Sequence, residues 1–326
     1  MSHIPEASHV HDVLIVGGGF AGSAAAVALG RAGRSVMVID GNLPRNRFAS
    51  HAHGYLTREG MSPLDMRDIG QAEAKDYGVT FVTGEVTDAR VSANGREVAL
   101  TLADGSRHRG RRLLVATGLT DVLPGIPGVS ERWGRDAIHC PYCHGYEVRG
   151  QRLGLIVRPT PMTVHHALHL RQWSDRFTLF LNGADMPGAE DLEKLAARDI
   201  RVVPEPVAAL EIDREADTLR GVRLDGGEVV PIDAVFVMPL FTANTSLLAQ
   251  MGAEIEETVM GSNVKVDWMG ATSVPGVWAA GNVAQPMAQL AAAAASGSMA
   301  AGAINMSLVE EDVERAVATR RLSLVS

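Results

Sequence analysis

The chain of 326 residues has only two cysteines, Cys140 and Cys143. Two are too few for a disulfide scaffold, and without a second cysteine pair a four-ligand zinc site has no ready donor set. Basic residues are also scarce: 30 Lys and Arg stand against 38 Asp and Glu, for a net charge of -8, and positive charge gathers only in the short scatter at 107–112. Nucleic acid is therefore not expected as a partner, because phosphate binding has little positive charge to draw on. Residues 1–11 lack a basic start followed by an apolar core, so no secretory signal is read there and a cytoplasmic location follows. No long uninterrupted apolar run occurs either. Residues 288–306 are mostly alanine and glycine broken by serines and Asn305, which suits a closely packed core helix better than a membrane span.

At 46% hydrophobic content the chain can bury a substantial core, and its length points to two domains. A short buried strand is expected over residues 11–16, then the turn Gly17-Gly18-Gly19-Phe20-Ala21-Gly22, an alanine-rich helix to about Arg31, and a strand over 35–39 ending at Asp40. Gly17, Gly19 and Gly22 hold the G-x-G-x-x-G positions: one for the tight turn, one for approach of a pyrophosphate, one for helix–strand packing. Asp40 stands where a carboxylate can accept from a ribose hydroxyl, so this unit is read as dinucleotide-binding.

Residues 80–91, 97–102 and 112–115 read as β segments separated by Asn94-Gly95 and Asp104-Gly105 turns. The Pro and Gly cluster at 123–128 reads as a crossing between domains, and the return is expected near 241–247. Residues 154–157, a helix from about Pro161 to Trp173, and 177–181 form a second strand–helix–strand unit. Its turn, Arg158-Pro159-Thr160-Pro161-Met162-Thr163, has side chains where a pyrophosphate needs bare backbone, and the next strand ends in Asn182-Gly183 with no acid for a ribose.

Chemistry centres on His139-Cys140-Pro141-Tyr142-Cys143-His144-Gly145-Tyr146-Glu147. A cysteine pair at this spacing can close a small disulfide, supply half of a metal site, or anchor haem. Haem attachment of the c type belongs to exported proteins, and His139 and His144 lie too close along the chain to complete a zinc tetrahedron comfortably, so no metal is expected. His144 can take protons near neutral pH, and Glu147 could orient it as a triad carboxylate orients its histidine. Pro141 favours a helix start, which would set the sulfurs near a positive dipole end. His165 and His169 lie at i, i+4 and could share a metal, but the pattern suggests no third ligand and such histidines are more often part of a helix surface or lid. The loop bearing His51, His53 and Tyr55 is a candidate pocket lining.

Gly17 to Gly22, Ala116-Thr117-Gly118, the central Cys-x-x-Cys and the late Gly276-Val277-Trp278-Ala279-Ala280-Gly281-Asn282-Val283 occur in the order seen in low-molecular-weight thioredoxin reductases, which the chain resembles over nearly its whole length. The run from Cys140 to Glu147, with residues 44–48 and 51–54, resembles a narrower branch: dithiol oxidases that close the disulfide of natural products such as gliotoxin, holomycin and romidepsin. The resemblance implies an α/β protein of two Rossmann-like, three-layer ββα domains. An FAD domain (1–118 and 245–326) would be discontinuous around an inserted NADPH-domain-like domain (119–244) carrying the cysteines. It further implies a homodimer and flavin contacts at Gly17, Gly19, Phe20, Ala21, Gly22, Asp40, Gly41, Arg47, His53, Val86, Ala116, Thr117, Gly118, Gly281, Asn282, Gln289 and Leu290. Asn282 replaces the usual Asp at the ribityl chain, and His144 replaces the Asp that follows the second cysteine.

The resemblance assigns Cys140 as the thiol that exchanges with substrate and Cys143 as the one facing the flavin. The expected activity is oxidation of a small-molecule dithiol, with oxygen as electron acceptor and hydrogen peroxide as product, since the 158–163 turn offers no recognisable NADP(H) site. The alternatives are an NADPH-dependent thioredoxin reductase and a non-catalytic redox sensor that binds a partner protein.

Overall fold

A computed structural model describes residues 9–158, 162–258 and 261–324. The chain divides into two compact units: unit one is Met1–Arg47, Pro63–Thr120 and Phe241–Ser326, and unit two is Phe48–Ser62 and Asp121–Leu240. Segment 48–62 is thus grouped with the inserted unit, away from its sequence neighbours.

Unit one begins with β1 (Val10–Val16), α1 (Phe20–Arg31), β2 (Val36–Asp40), α2 (Pro63–Asp76) and β3 (Thr80–Thr83). It continues through β4 (Val86–Val91), β5 (Val98–Leu102) and β6 (Arg107–Val115). Strand order is β3-β2-β1-β6-β5-β4. β1, β2, β3 and β6 pair in parallel, while β4, β5 and β6 form an antiparallel meander. The single β segment expected at 80–91 is therefore two strands with different partners. The chain breaks at Gly84, whose N–H donates to the Asp40 carbonyl at 3.0 Å. Alternation sorts β1 between two cores: Val13 and Ile15 pack with α1, Leu14 and Val16 on the opposite face. The chain leaves along β7 (Leu119–Val122).

Unit two follows as α3 (Val129–Arg132), β8 (Ala137–Ile138), α4 (Pro141–His144), β9 (Leu153–Ile156), α5 (Thr163–Leu170), β10 (Phe177–Phe180), α6 (Ala189–Ala196) and β11 (Arg201–Val203). It then adds β12 (Val207–Asp213), β13 (Thr218–Leu224), β14 (Val229–Pro231) and β15 (Ala234–Val237). A parallel sheet of order β11-β10-β9-β15-β8 lies between helices and an antiparallel sheet of order β12-β13-β14. Leu153 and Leu155 pack towards α5 while Ile156 packs with Val207, Leu210 and Val222 of the antiparallel sheet. Burial on both faces explains the unbroken apolar runs of β9, β10 and β15. The helix expected to reach Trp173 ends at Leu170. Residues 159–161, the centre of the glycine-free turn, lie outside the described residues.

The chain returns along β16 (Leu240–Ala243), followed by α7 (Ser246–Gln250), β17 (Ile255–Thr258), β18 (Gly261–Val264), β19 (Val277–Ala279) and α8 (Leu290–Ser323). β19 joins the main sheet beside β6. By length and composition α8 is apolar enough to cross a membrane. Here it packs Ala293, Ala300, Ala301, Ile304 and Leu308 in the same core as Ala21, Ala25 and Leu29 of α1. Gly297 permits that approach, since a Cβ there would stand 2.0 Å from the Ala21 carbonyl oxygen. Further along, α8 carries Glu311, which receives Arg112 at 2.8 Å and Arg111 at 3.0 Å. The basic scatter at 107–112 is thus partly structural, because Arg112 is buried.

Candidate active site

In unit one the β1–α1 turn has the geometry its glycines suggest. Gly17 adopts φ 103°, and a Cβ there would meet the Ala116 carbonyl oxygen at 2.3 Å. Gly22 comes equally close to the turn, its Cβ position lying 1.9 Å from the Gly17 carbonyl oxygen. Gly19 faces open space, so the backbone is bare where a pyrophosphate would approach. No side chain caps α1 and its first turn holds no acid, which leaves the N-terminal N–H groups for an anion. Asp40 ends β2 beside Gly18, and Gly41 is open.

The other expected flavin positions, His53 excepted, are distributed around the same unit. Ala116 donates to the Val16 carbonyl, and Gly118 takes φ 68°. Asn244, which the sequence reading did not single out, fastens the 117–120 segment. Its Nδ2 donates to the Thr117 carbonyl at 2.9 Å, while its own carbonyl accepts from Thr117 Oγ1 at 2.8 Å and its Oδ1 from Thr120 Oγ1 at 3.0 Å. Asn282 Nδ2 donates to the carbonyls of Gln285, Pro286 and Ala288 at 2.9–3.1 Å, a set of acceptors that explains why an amide is useful there. Gln289 is the N-cap of α8 and Leu290 its first residue. Val86 is buried in the sheet core. Arg47 Nη1 donates to the Pro44 carbonyl. His53 belongs to unit two.

The cysteines lie at the C-terminal end of β8, the end of a parallel sheet at which ligands usually bind. Cys140 and Cys143 form a disulfide with their Cα atoms 5.2 Å apart. Cys140 is the N-cap of α4 and Pro141 its first residue, as the sequence suggested. This helix has only four residues, however, so its aligned peptide dipoles are few and thiolate stabilisation must come mainly from neighbouring charge. A cavity of about 360 Å³ lies at the opposite strand ends, against Arg152, Arg176, Phe177 and Arg201, away from the thiol chemistry.

His144 is the nearest titratable neighbour in sequence. Burial holds its proton affinity below the ordinary value, the Glu147 carboxylate works the other way, and the His53 ring adds to the lowering. The net result is a neutral imidazole near pH 7, able to accept a proton. Its Nδ1 is buried and has no hydrogen-bond partner among the described residues. Glu147 faces a second imidazole: its Oε1 lies 3.5 Å from His53 Nε2.

An aromatic corner that was not foreseen completes the site. Tyr142, exposed between the cysteines, places its hydroxyl 3.1 Å from His169 Nε2 and its ring edge-on to Trp173, with 5.8 Å between centroids. Gly145 allows this closeness, since a Cβ there would lie 2.7 Å from Trp173 Nε1. The glycine two residues beyond Cys143 was the only sequence signal. His165 is exposed on α5 and His169 turns to Tyr142. His166 is instead the enclosed member of α5. Burial, reinforced by His139, His169 and His165, lowers its pKa to about 4. Among the described residues no group of three or more His, Cys, Asp or Glu side chains could hold a metal ion.

A glycine turn open to a nucleotide on one unit and a Cys-x-x-Cys disulfide on another fit a flavin-dependent oxidoreductase, and the chain belongs to the pyridine nucleotide-disulphide oxidoreductase family, whose model matches residues 11–157 and 175–297. Membership implies bound flavin, and the open glycine turn and Asp40 fit the FAD dinucleotide. The chain is 30% identical over 320 residues to thioredoxin reductase sirT of Leptosphaeria maculans, with 93% of this chain and 96% of that protein covered. It is similar to the crystal structure of HlmI, with 41% identity, a TM-score of 0.91, and coverage of 99% and 100%. The fold is that of low-molecular-weight thioredoxin reductases. The enzyme from Streptococcus pyogenes superimposes with a TM-score of 0.81 at 20% identity over 92% of this chain and 99% of that one.

Proposed function

We propose that this protein is an FAD-dependent dithiol oxidase that closes an intramolecular disulfide in a small molecule. The observation that carries the direction of electron flow is the crossover from β9 to α5. Its sequence, Arg158 to Thr163, has no glycine where a nicotinamide cofactor's pyrophosphate would need exposed backbone. Electrons are then better supplied by the substrate than by NADPH. His144, held neutral beside the disulfide, suits a reaction that begins by deprotonating a thiol.

In this reading a substrate thiolate attacks Cys140 Sγ. The Cys140–Cys143 bond breaks, Cys143 leaves as thiolate, and a mixed disulfide forms. The second substrate thiolate attacks the substrate sulfur of that bond and displaces Cys140. The substrate loses two electrons and closes its ring, the cysteine pair gains two, and protons removed from the substrate sulfurs are regained by the cysteine thiolates. His144 is the base at the first deprotonation, and Glu147 supports its protonated form. Gly17, Gly19, Gly22 and Asp40 would hold the flavin, with residues 116–118, Asn282 and the start of α8 completing its site. Flavin supplies the two-electron acceptor that returns the pair to the disulfide, and oxygen is the expected final oxidant, giving hydrogen peroxide. A homodimer is the expected assembly.

The relative named a thioredoxin reductase favours a second reading, reduction of a protein disulfide by NADPH. Anaerobic stopped-flow mixing separates the two. A small dithiol such as dithiothreitol should bleach the flavin rapidly and NADPH should not, and Cys140→Ser should abolish bleaching by the dithiol. Rapid bleaching by NADPH would establish the reductase instead.

A further inference from the structure

His144 Nδ1 is shut off from solvent, yet every turn of thiol–disulfide exchange requires a proton to leave the attacking sulfur. Segment 48–62 supplies what the cysteine motif lacks. It is about ninety residues distant in sequence but packs within unit two. It closes on itself as a compact loop: Ala52 N–H donates to the Met61 carbonyl at 2.8 Å, Gly60 N–H to the Ala52 carbonyl at 2.9 Å, and His51 Nδ1 stands 3.0 Å from the Gly60 carbonyl oxygen. On this frame His53 lies between two carboxylates, with Nδ1 2.7 Å from Glu59 Oε1 and Nε2 3.5 Å from Glu147 Oε1. Glu59 is fixed by a second bond, from Gly54 N–H at 2.9 Å, and its side chain is 66% exposed.

We propose that Glu147, His53 and Glu59 form a proton path between His144 at the disulfide and solvent, with His53 as a positioning and relay residue. An imidazole between two carboxylates can take a proton on one nitrogen and release one from the other, and so can link them. His51 also stands near the path, its ring centroid 6.5 Å from that of His53. Glu59 sits at the outer end with its proton affinity lowered by the hydrogen bonds from His53 and Gly54 N–H, so it rests ionised and gives up to water a proton that reaches it. The flow balances. The proton leaves the substrate sulfur for His144, passes by Glu147 and His53 to Glu59 and water, and the same groups run in reverse when a cysteine thiolate is protonated.

The proposal rests on Cys140–Cys143 being the exchanging pair, and its test reads the disulfide directly. Protein is mixed with dithiothreitol, quenched with N-ethylmaleimide at millisecond intervals, and the alkylated cysteines are counted by mass. This readout is the same for an oxidase and a reductase. His53→Gln should slow disulfide opening about tenfold at neutral pH, less than the roughly 10²-fold or more of a full general-base contribution because His144 itself is retained. It should also make the rate rise with buffer concentration, with added imidazole restoring it. Glu59→Gln, a surface change, should produce a smaller loss with the same buffer dependence. If wild-type protein opens its disulfide and both variants do so at the same, buffer-independent rate, the path is wrong while the disulfide's role stands. A slow rate that neither buffer nor imidazole restores would assign His53 a purely structural role and overturn the path. Failure of wild-type protein to be alkylated after dithiothreitol would overturn both.

Discussion

His144 is the residue whose environment matters most. Histidine follows the second cysteine, and its enclosure keeps it uncharged until the pH falls below the ordinary imidazole value. The sign follows directly. A lowered pKa leaves the base form populated through neutrality, so the rate of disulfide opening should stay flat above about pH 6.5 and fall only on the acid side, until thiol ionisation takes over at higher pH. His144→Gln should remove that acid limb and lower the rate by about 10²-fold or more, as loss of a general base does. Alkylation-quench rates across pH 5–9 would check both. Persistence of the acid limb in the variant would assign it to another group. His166 on α5 is enclosed among other imidazoles and has a pKa of about 4, so it contributes no charge to this titration near neutrality.

Small residues govern the contacts between elements. Gly145 brings α4 against Trp173, and Gly297 brings α8 against α1, the helix whose N-terminus borders the nucleotide turn. Gly297→Ala would place a methyl group 2.0 Å from a backbone oxygen, a distance that only a shift of one helix can relieve. Such overpacking costs about 1–3 kcal/mol. The variant should unfold at lower denaturant concentration and release flavin more readily, measured by urea titration and by flavin fluorescence after dilution. Unchanged midpoint and retention would mean that α8 moves without cost. α8 also illustrates why composition left its packing undetermined: alanine and glycine permit a close helix contact, but the partner helix is far away in sequence.

For the molecule as a whole, the ionic attachment of α8 to the sheet is the chief determinant that charge counting hides. Glu311 is buried, which alone would raise its pKa, but hydrogen bonds from Arg112 and Arg111 prevail and hold it below the ordinary value. A carboxyl group depressed in the folded state contributes stability above its unfolded pKa and loses it as pH falls through the lower folded value. Acid should therefore weaken unit one below about pH 4.5, and Glu311→Ala should remove that part of the acid sensitivity while costing about 3 kcal/mol at pH 7, since Arg112 is left buried without its carboxylate. Chemical denaturation at pH 7 and pH 4 would measure both. A loss under 0.5 kcal/mol at pH 7, the scale of an exposed pair, would show that Ser307 and the remaining acids satisfy the arginines.

The sequence by itself determined the nucleotide turn, the terminal Asp40, the cysteine motif and the glycine-free crossover, because each depends on neighbours within a few residues: a positive φ, a close approach, a ring of two thiols. Strand ranges were legible where burial on both faces made apolar runs, and were blurred at 80–91, where two strands with different partners adjoin. Tertiary structure decided what depends on chain closure over long separations. It placed His53 between Glu59 and Glu147, Trp173 and His169 beside Tyr142, Asn244 on the 117–120 segment, and Arg112 against Glu311. No local pattern encodes those contacts, since each arises only when parallel strands distant in sequence are laid side by side and the loops beyond them meet.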